Sequence, residues 1–345
     1  MTDVPMIDGH NDTLLRLSRA DDPVLSFADG CENAHIDLPR AREAGLGAGF
    51  FAVFVLSDDE HDPEPGDGGY EYPLPDAVDH GEARRVTYRT LELLHRLAAD
   101  VDGFRVVRSL ADLDACLESG DLGAIPHLEG AEGVASDLAN LDFLYAAGVR
   151  SIGPVWSRPN AFGEGVFSRY PGSPDTGAGL TDAGRDLVRA CERRGIVVDC
   201  AHMTERGFWE VSELSDAPLV VSHTGVHERC PHSRNLTDEQ LDAVAESGGV
   251  VGIAFHEPGV ADDPDPDASA SLEDIAEHIE YVADYVGVQH VVLGSDFDGA
   301  RIPDDVGDVT GLPALLSRLR ERGFSDGDIA RVACENWRRV LAETW

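Results

Sequence analysis

Eight short apolar runs recur along the chain: VPMIDGH, GAGFFAVFV, GAIPHLEG, RSIGPVW, GIVVDCAH, APLVVSHT, GVVGIAF and HVVLGSDFDG. Their apolarity is continuous rather than alternating, which is what a strand buried on both faces requires. Between most of them lie segments of helical periodicity, among them EARRVTYRTLELLHRLAADV, TDAGRDLVRACERRG and SLEDIAEHIEYVADYVG, several opened by Ser, Thr or Asn and closed by Gly. A β-α unit repeated eight times predicts an α/β chain closed into a (β/α)8 TIM barrel, with its chemistry at the C-terminal ends of the strands. A doubly wound open sheet is the competing arrangement, but no glycine-rich nucleotide fingerprint follows the first run. The 345 residues suit a single such domain over 1–345. Two acidic insertions, 57–80 and 256–270, each follow a strand, where loops that line a site belong. The plainer alternative for both is a solvated loop with no role.

The 65 acidic residues against 27 basic ones give a net charge of −38, and every basic residue is arginine. Such a surface repels nucleic acid and anionic membrane, so neither is an expected partner. It suits a halophile, because at about 1 M salt the Debye length falls to about 3 Å and self-repulsion is screened. A disordered acidic chain is disfavoured by 42% hydrophobic content arranged in regular runs. Six cysteines (Cys31, Cys116, Cys191, Cys200, Cys230, Cys334) show no C-x-x-C spacing and read as free thiols. The N-terminus has no signal-peptide pattern and no stretch is long and apolar enough to span a bilayer, so a cytoplasmic location is expected.

The barrel reading carries its own test, since chemistry should recur at strand ends. The first run ends in His10-x-Asp12, the third in Glu129, the fifth in His202, the sixth in His223 and the eighth in Asp296. Residues two apart on a strand share a face, so His10 and Asp12 can meet one ion. Each candidate is of a type that binds zinc or a similar divalent ion. Taken singly, each histidine is more often a buried hydrogen-bonded one, and Glu129 alone could cap a helix; the joint pattern is what points to metal. A centre of five or six nitrogen and oxygen ligands suits two ions better than one, because catalytic zinc keeps a position open. His127, His256 and His290 read as supporting or structural. The other seven (His35, His61, His80, His95, His227, His232, His278) fall in loops or helices and are not expected to be ligands.

The motifs IDGHND, LEGAEGV, LYAAGVRSIG, VDCAHMT, APLVVSHTGVHERCPHSRN, GSDFDG and ENWRRVL occur in an order that resembles the membrane (renal) dipeptidase family, peptidase family M19 of the amidohydrolase superfamily. The resemblance runs over nearly the whole chain. It implies a first metal held by His10 and Asp12, a bridging Glu129, and a second metal held by His202 and His223. It also implies that Asp296 moves the proton from the attacking water, a metal-bridging hydroxide, to the leaving amine. Arg234 would pair with the substrate's C-terminal carboxylate, which a guanidinium fork suits. The implied activity is a binuclear dipeptidase, with two divalent ions, zinc foremost with manganese and cobalt open, a small dipeptide as substrate and tolerance of a D-residue at its C-terminal position. Related proteins are often homodimers. The absence of lysine excludes metal bridging by a carboxylated lysine. The family's animal members carry a secretion signal and a lipid anchor, and that part is not expected here.

One departure stands out. Where the renal enzyme has a histidine after the fourth strand, this chain has Trp156, which offers one N–H and no acid-base capacity. Either the metal alone polarises the carbonyl, or Arg158 or Asn160 substitutes, or the substrate differs. A related amidohydrolase acting on N-acyl amino acids or lactones is therefore the second reading. A non-catalytic metal-binding barrel is the third, and the presence of every expected ligand weighs against it.

Overall fold

The computed structural model describes residues 4–57, 62–66, 68–166, 168–263 and 265–345; residues 58–61 and 67 of the first acidic insertion, His61 among them, and residue 264 of the second lie outside the described residues. Each of the eight apolar runs contains a strand: β1 (Met6–Asn11), β2 (Leu46–Phe54), β3 (Leu122–Glu129), β4 (Ser151–Gly153), β5 (Val197–Val198), β6 (Val220–Thr224), β7 (Val250–Ile253) and β8 (Val291–Leu293). All pair in parallel, in two sheets: β1-β2-β3-β4-β5, with Phe104–Val106 added beside β3, and β6-β7-β8. The longest register runs from Ala48 opposite Gly123 to Phe54 opposite Glu129.

Single bridges link the edges of the two sheets, Asp199 to Val220 on one side and Asn11 to Phe297 on the other. The result is a mixed α/β fold around a curled parallel sheet whose ladder is interrupted at two places. The expected strand order is present; continuous closure of the ladder is not. Both interruptions fall where the strand ends turn polar and the backbone is diverted to side-chain partners, with Asp199 accepting from the Ser222 N–H (2.8 Å) and Asp8 from the Ser295 N–H (2.8 Å).

Two apolar layers follow from the curl. Ile7, Ala48, Phe50, Ile125, Val197, Val220, Val250 and Val292 come from seven of the eight strands and meet in one inner cluster, which Trp337, Val340 and Leu341 of the C-terminal helix Asn336–Thr344 complete. Trp337 is fully buried, packs on Phe50 (ring centroids 4.7 Å) and donates its indole N–H to Leu293 O (3.1 Å). Gly9 lies beneath that indole, where any Cβ would collide with it. The outer cluster joins the strands to the helices. These helices occupy the periodic segments closely: His80–Asp100, Leu110–Ser119, Asp182–Glu192, Glu205–Leu214, Asp238–Glu246 and Leu272–Tyr285. Asp79 caps the first through its carboxylate, and Ser109, Thr181, Thr204, Thr237 and Ser271 cap the other five through their hydroxyls.

The first acidic insertion is only partly the solvated loop of the simpler reading. Glu64–Gly66 and Gly69–Glu71 form a hairpin that pairs antiparallel with Arg169–Tyr170 from the segment after β4. No helix among the described residues is long and apolar enough to cross a membrane.

Candidate metal centre

At the C-terminal rim of the sheet, all six candidate ligands converge. His10 Nε2 lies 3.3 Å from Asp12 Oδ2, 3.6 Å from Glu129 Oε2 and 4.0 Å from Asp296 Oδ1. Glu129 Oε1 lies 3.0 Å from His202 Nε2 and 3.7 Å from His223 Nε2. Ligand atoms of His10, Glu129 and His223 form one group within 4.8 Å, and those of His10, Asp12 and Asp296 form another. Alternation from Ile7 would turn His10 away from the inner face, yet its ring lies 3.9 Å from that of His223; a register shift between Asp8 and Asn11 resets the phase.

His202 and Asp296 both take left-handed backbone, with φ of 64° and 62°. For residues with a Cβ this is strained, and such strain collects at functional sites. The glycine at 299 belongs to the same construction, because a Cβ there would strike the carboxylates of Asp12 and Asp296.

The electrostatics suit cations. Burial, joined by the charges of His10 and Arg234, holds His202 and His223 neutral, well below the ordinary imidazole value. Burial raises Glu129 well above the carboxylate range, and raises Asp296 to about 7, with Asp12 adding repulsion and His10 and Arg234 opposing it. His10 behaves oppositely: burial disfavours its charge, but Glu129, Asp12 and Asp296 outweigh that and push it up to about 10. Without an ion, a proton on His10 compensates the carboxylates. His10 Nδ1 and Asp12 Oδ1 are buried without hydrogen-bond partners. Neutral imidazoles, buried carboxylates and orphaned donor atoms together fit divalent metal, by the chemistry of the donor set.

The supporting contacts include residues that strand-end counting did not single out. Ser222 Oγ donates to the buried Asp199 carboxylate (2.5 Å) and lies 2.9 Å from His223 Nδ1. With its proton committed to Asp199, the hydroxyl accepts from Nδ1–H, which leaves His223 Nε2 bare toward Glu129. His202 Nδ1 lies 2.8 Å from Ser157 Oγ. His127, expected to be supporting, is buried, lies 3.0 Å from Ser151 Oγ and 3.5 Å from Asp199, and packs edge-on to His10 at 5.5 Å. His35 accepts from the Asp298 N–H (2.8 Å), while Asp298 accepts from the His35 N–H (2.7 Å) and Thr13 Oγ1 (3.0 Å), tying the segment after β8 to the segment after β1. His290 lies at the opposite end of the fold, 2.9 Å from Gly249 O.

Above the cluster opens a cavity of about 490 Å³ lined by Asp12, Glu129, His202, Arg234 and Asp296 together with Phe54, Tyr72, Pro73, Trp156 and His256. Arg234 is therefore at the site, and its buried Nε has no hydrogen-bond partner. Burial lowers its guanidinium to about 10, against the pull of Asp296 and Glu129, so it stays charged at neutral pH. Its backbone is held by His232 Nδ1 (3.2 Å) and Thr224 Oγ1 (2.9 Å).

Of the three alternatives for the position of Trp156, substitution by Arg158 or Asn160 has no support in the geometry. Arg158 is fully buried, pairs with Glu132 (2.8 Å) and hydrogen-bonds Val55 O. Asn160 is spent on its own loop, donating to Pro154 O (2.8 Å) and accepting from the Phe162 N–H (2.8 Å). Both lie outside the cavity lining, which Trp156 and Ser157 join from that segment.

A curled parallel α/β sheet with carboxylates and imidazoles gathered at its C-terminal rim defines a metal-dependent hydrolase. The model of the membrane dipeptidase family, peptidase family M19, matches residues 1–344. This chain belongs to that family and is a metallo-dipeptidase, a hydrolase of peptide bonds. It is similar to a metallopeptidase from Rhodobacter sphaeroides whose crystal structure contains a phosphinate mimic of the dipeptide L-Ala-D-Ala, at 41% identity and a TM-score of 0.95 over 99% of each chain. Dipeptidase aclJ of Aspergillus oryzae is 32% identical over 99% of this chain and 79% of its own length. A Klebsiella pneumoniae protein described as an uncharacterized protein in the pqqA 5′ region is 42% identical over 77% of this chain and 98% of its own length.

Proposed function

We propose that the chain is a binuclear dipeptidase in which His10 and Asp12 would hold one divalent ion, His202 and His223 a second, and Glu129 would be shared between them. The observation that carries this reading is Glu129, whose Oε2 faces His10 at 3.6 Å while its Oε1 faces His202 at 3.0 Å. The eight parallel strands, joined edge to edge by two single bridges, support one TIM-barrel domain over residues 1–345. Two ions, zinc foremost, would supply an acidified water and a Lewis acid for the amide carbonyl.

The chain's own residues do the rest. Arg234 binds the C-terminal carboxylate and fixes the peptide's direction. Asp296, whose carboxylate lies 4.0 Å from His10 Nε2 and lines the cavity, takes a proton from the attacking water and delivers it to the departing amine nitrogen as the C–N bond breaks. A D-residue at the C-terminal position is tolerated, a proposal supported by the L-Ala-D-Ala mimic in the Rhodobacter relative. Six free cysteines support a reducing, cytoplasmic setting, and the lysine-free acidic composition supports a high-salt one. Trp156 in the position of the renal histidine favours the second reading, an amidohydrolase of N-acyl amino acids or lactones.

The test is elemental analysis of protein purified in high salt, with hydrolysis of L,L and L,D dipeptides before and after chelation. About two metal equivalents and chelator-sensitive cleavage of both diastereomers are expected. Two equivalents with cleavage only of acyl amino acids or lactones would move the assignment to the second reading, and no bound metal would overturn both.

A further inference from the structure

The wall that Trp156 forms is built as a recognition surface. Its ring packs against Phe54 (centroids 5.0 Å apart, tilted 58°) and lies 5.7 Å from the imidazole of His202. Beneath the two aromatics sits the Arg158 guanidinium, 5.1 Å from the Trp156 ring and 5.4 Å from Phe54. Arg158 is itself fixed by Glu132 at 2.8 Å and by the Val55 carbonyl. A buried ion pair thus holds two large rings in place through cation–π contacts, and a surface fixed in advance loses little freedom when a ligand settles on it. Leu56, Tyr72, Pro73 and Pro75 continue the apolar lining toward the mouth.

The placement of this wall distinguishes the two ends of a dipeptide. Phe54 ends β2 and Trp156 follows β4, the two strands that flank β3 and its Glu129. Arg234 follows β6, in the other sheet. A peptide whose C-terminal carboxylate rests on Arg234 therefore presents its N-terminal residue to Phe54 and Trp156.

We infer that Trp156, backed by Phe54, is a specificity-determining residue that selects dipeptides with a large apolar or aromatic side chain at the N-terminal position. The inference rests on the dipeptidase reading and on Arg234 as the carboxylate anchor.

The experiment compares kcat/KM for Ala-Ala, Leu-Ala and Phe-Ala, and for Ala-Leu and Ala-Phe, in the metal-loaded wild type, Trp156→Ala and Trp156→Phe, with bound metal measured in each. The expected result is a preference for Phe-Ala over Ala-Ala of about tenfold or more, collapsing toward parity in Trp156→Ala and partly kept in Trp156→Phe. Readout as a ratio within each variant separates selectivity from general damage. A wild type indifferent to the N-terminal side chain, a ratio unchanged in Trp156→Ala, or size selection at the C-terminal position altered by Trp156→Ala would each overturn the inference while leaving the dipeptidase intact. Cleavage of none of the five peptides by metal-loaded wild type would instead overturn the dipeptidase reading, and the inference with it.

Discussion

His202 Nε2 and His223 Nε2 stand 2.9 Å apart, both beside Glu129 Oε1. Two imidazoles held neutral by burial and gathered on one buried carboxylate oxygen form a donor set that calls for positive charge to be shared with it. The metal-free protein meets the same demand on the other side of the cluster with a proton on His10.

Metal loading should therefore expel protons. His10 sits at about 10 without metal, so it is charged at pH 7.5, and coordination requires the neutral ring. Titration calorimetry in buffers of different ionisation enthalpy should show release of about one proton or more per protein. Zero net release would remove His10 from the ligand set.

Ser222→Ala should weaken metal binding by about ten- to a hundredfold, because Asp199 would then hold no hydroxyl to fix the His223 tautomer. Competition with a metal-sensitive dye measures it. Unchanged affinity would mean that the Asp199–Ser222–His223 chain is packing alone.

Asp296→Asn should lower kcat by about a hundred- to ten-thousandfold, since the amide cannot move the proton. An ion bound chiefly by His10, Asp12 and Glu129 should remain. Steady-state kinetics on variant protein of measured metal content decides it, and a kcat within a factor of about three of wild type would exclude the proton-transfer role.

Arg234→Gln should cost about ten- to a hundredfold in kcat/KM for free dipeptides, the size of a charged hydrogen bond. Dipeptide amides, lacking the carboxylate, should lose about as much in wild type and little more in the variant. Additive losses in that cycle would place the carboxylate elsewhere.

Stability should fall on mild acidification. His278 accepts from the Val226 N–H (2.9 Å) and donates to Val260 O (3.2 Å), and burial above all holds it down to about 4 from an ordinary 6.5. The unfolded chain takes up this proton below about pH 6.5 and the folded chain does not until about 4, so stability is full above 6.5 and declines below it. The share from this group is about 2 kcal/mol by pH 5. Denaturant unfolding at fixed salt from pH 7.5 to 5 checks the trend, and a folded-state His278 titration near 6.5 would contradict it.

Much of this was readable in the chain because the signals are local. The runs that hold the strands are rich in apolar residues, and each candidate ligand lies at the end of one or within a few residues beyond it. Gly248 and Gly287 close their helices where the periodicity ends. The features that are not local depend on distant partners. Asp199 gains its role from Ser222, 23 residues on, and Asp298 from His35, 263 residues away. Arg158 looked available because its sequence neighbours are polar, whereas Glu132, from another loop, claims it in the interior. The two interruptions of the ladder are equally invisible in sequence, since Asp199 and Asp8 disrupt it through backbone groups on neighbouring strands.

The distribution of residues around the rim has a consequence for how such a chain can diverge. β1, β3, β5, β6 and β8 carry the candidate metal donors, while β2 and β4 lead into Phe54 and Trp156 and carry none. On the proposed roles, chemistry and selectivity sit on separate strands. Substitution of Phe54 or Trp156 would then redirect the enzyme among side chains as long as Ser157, which follows β4 and meets His202 at 2.8 Å, is kept, and a lineage could exchange one diet for another while its reaction stays the same.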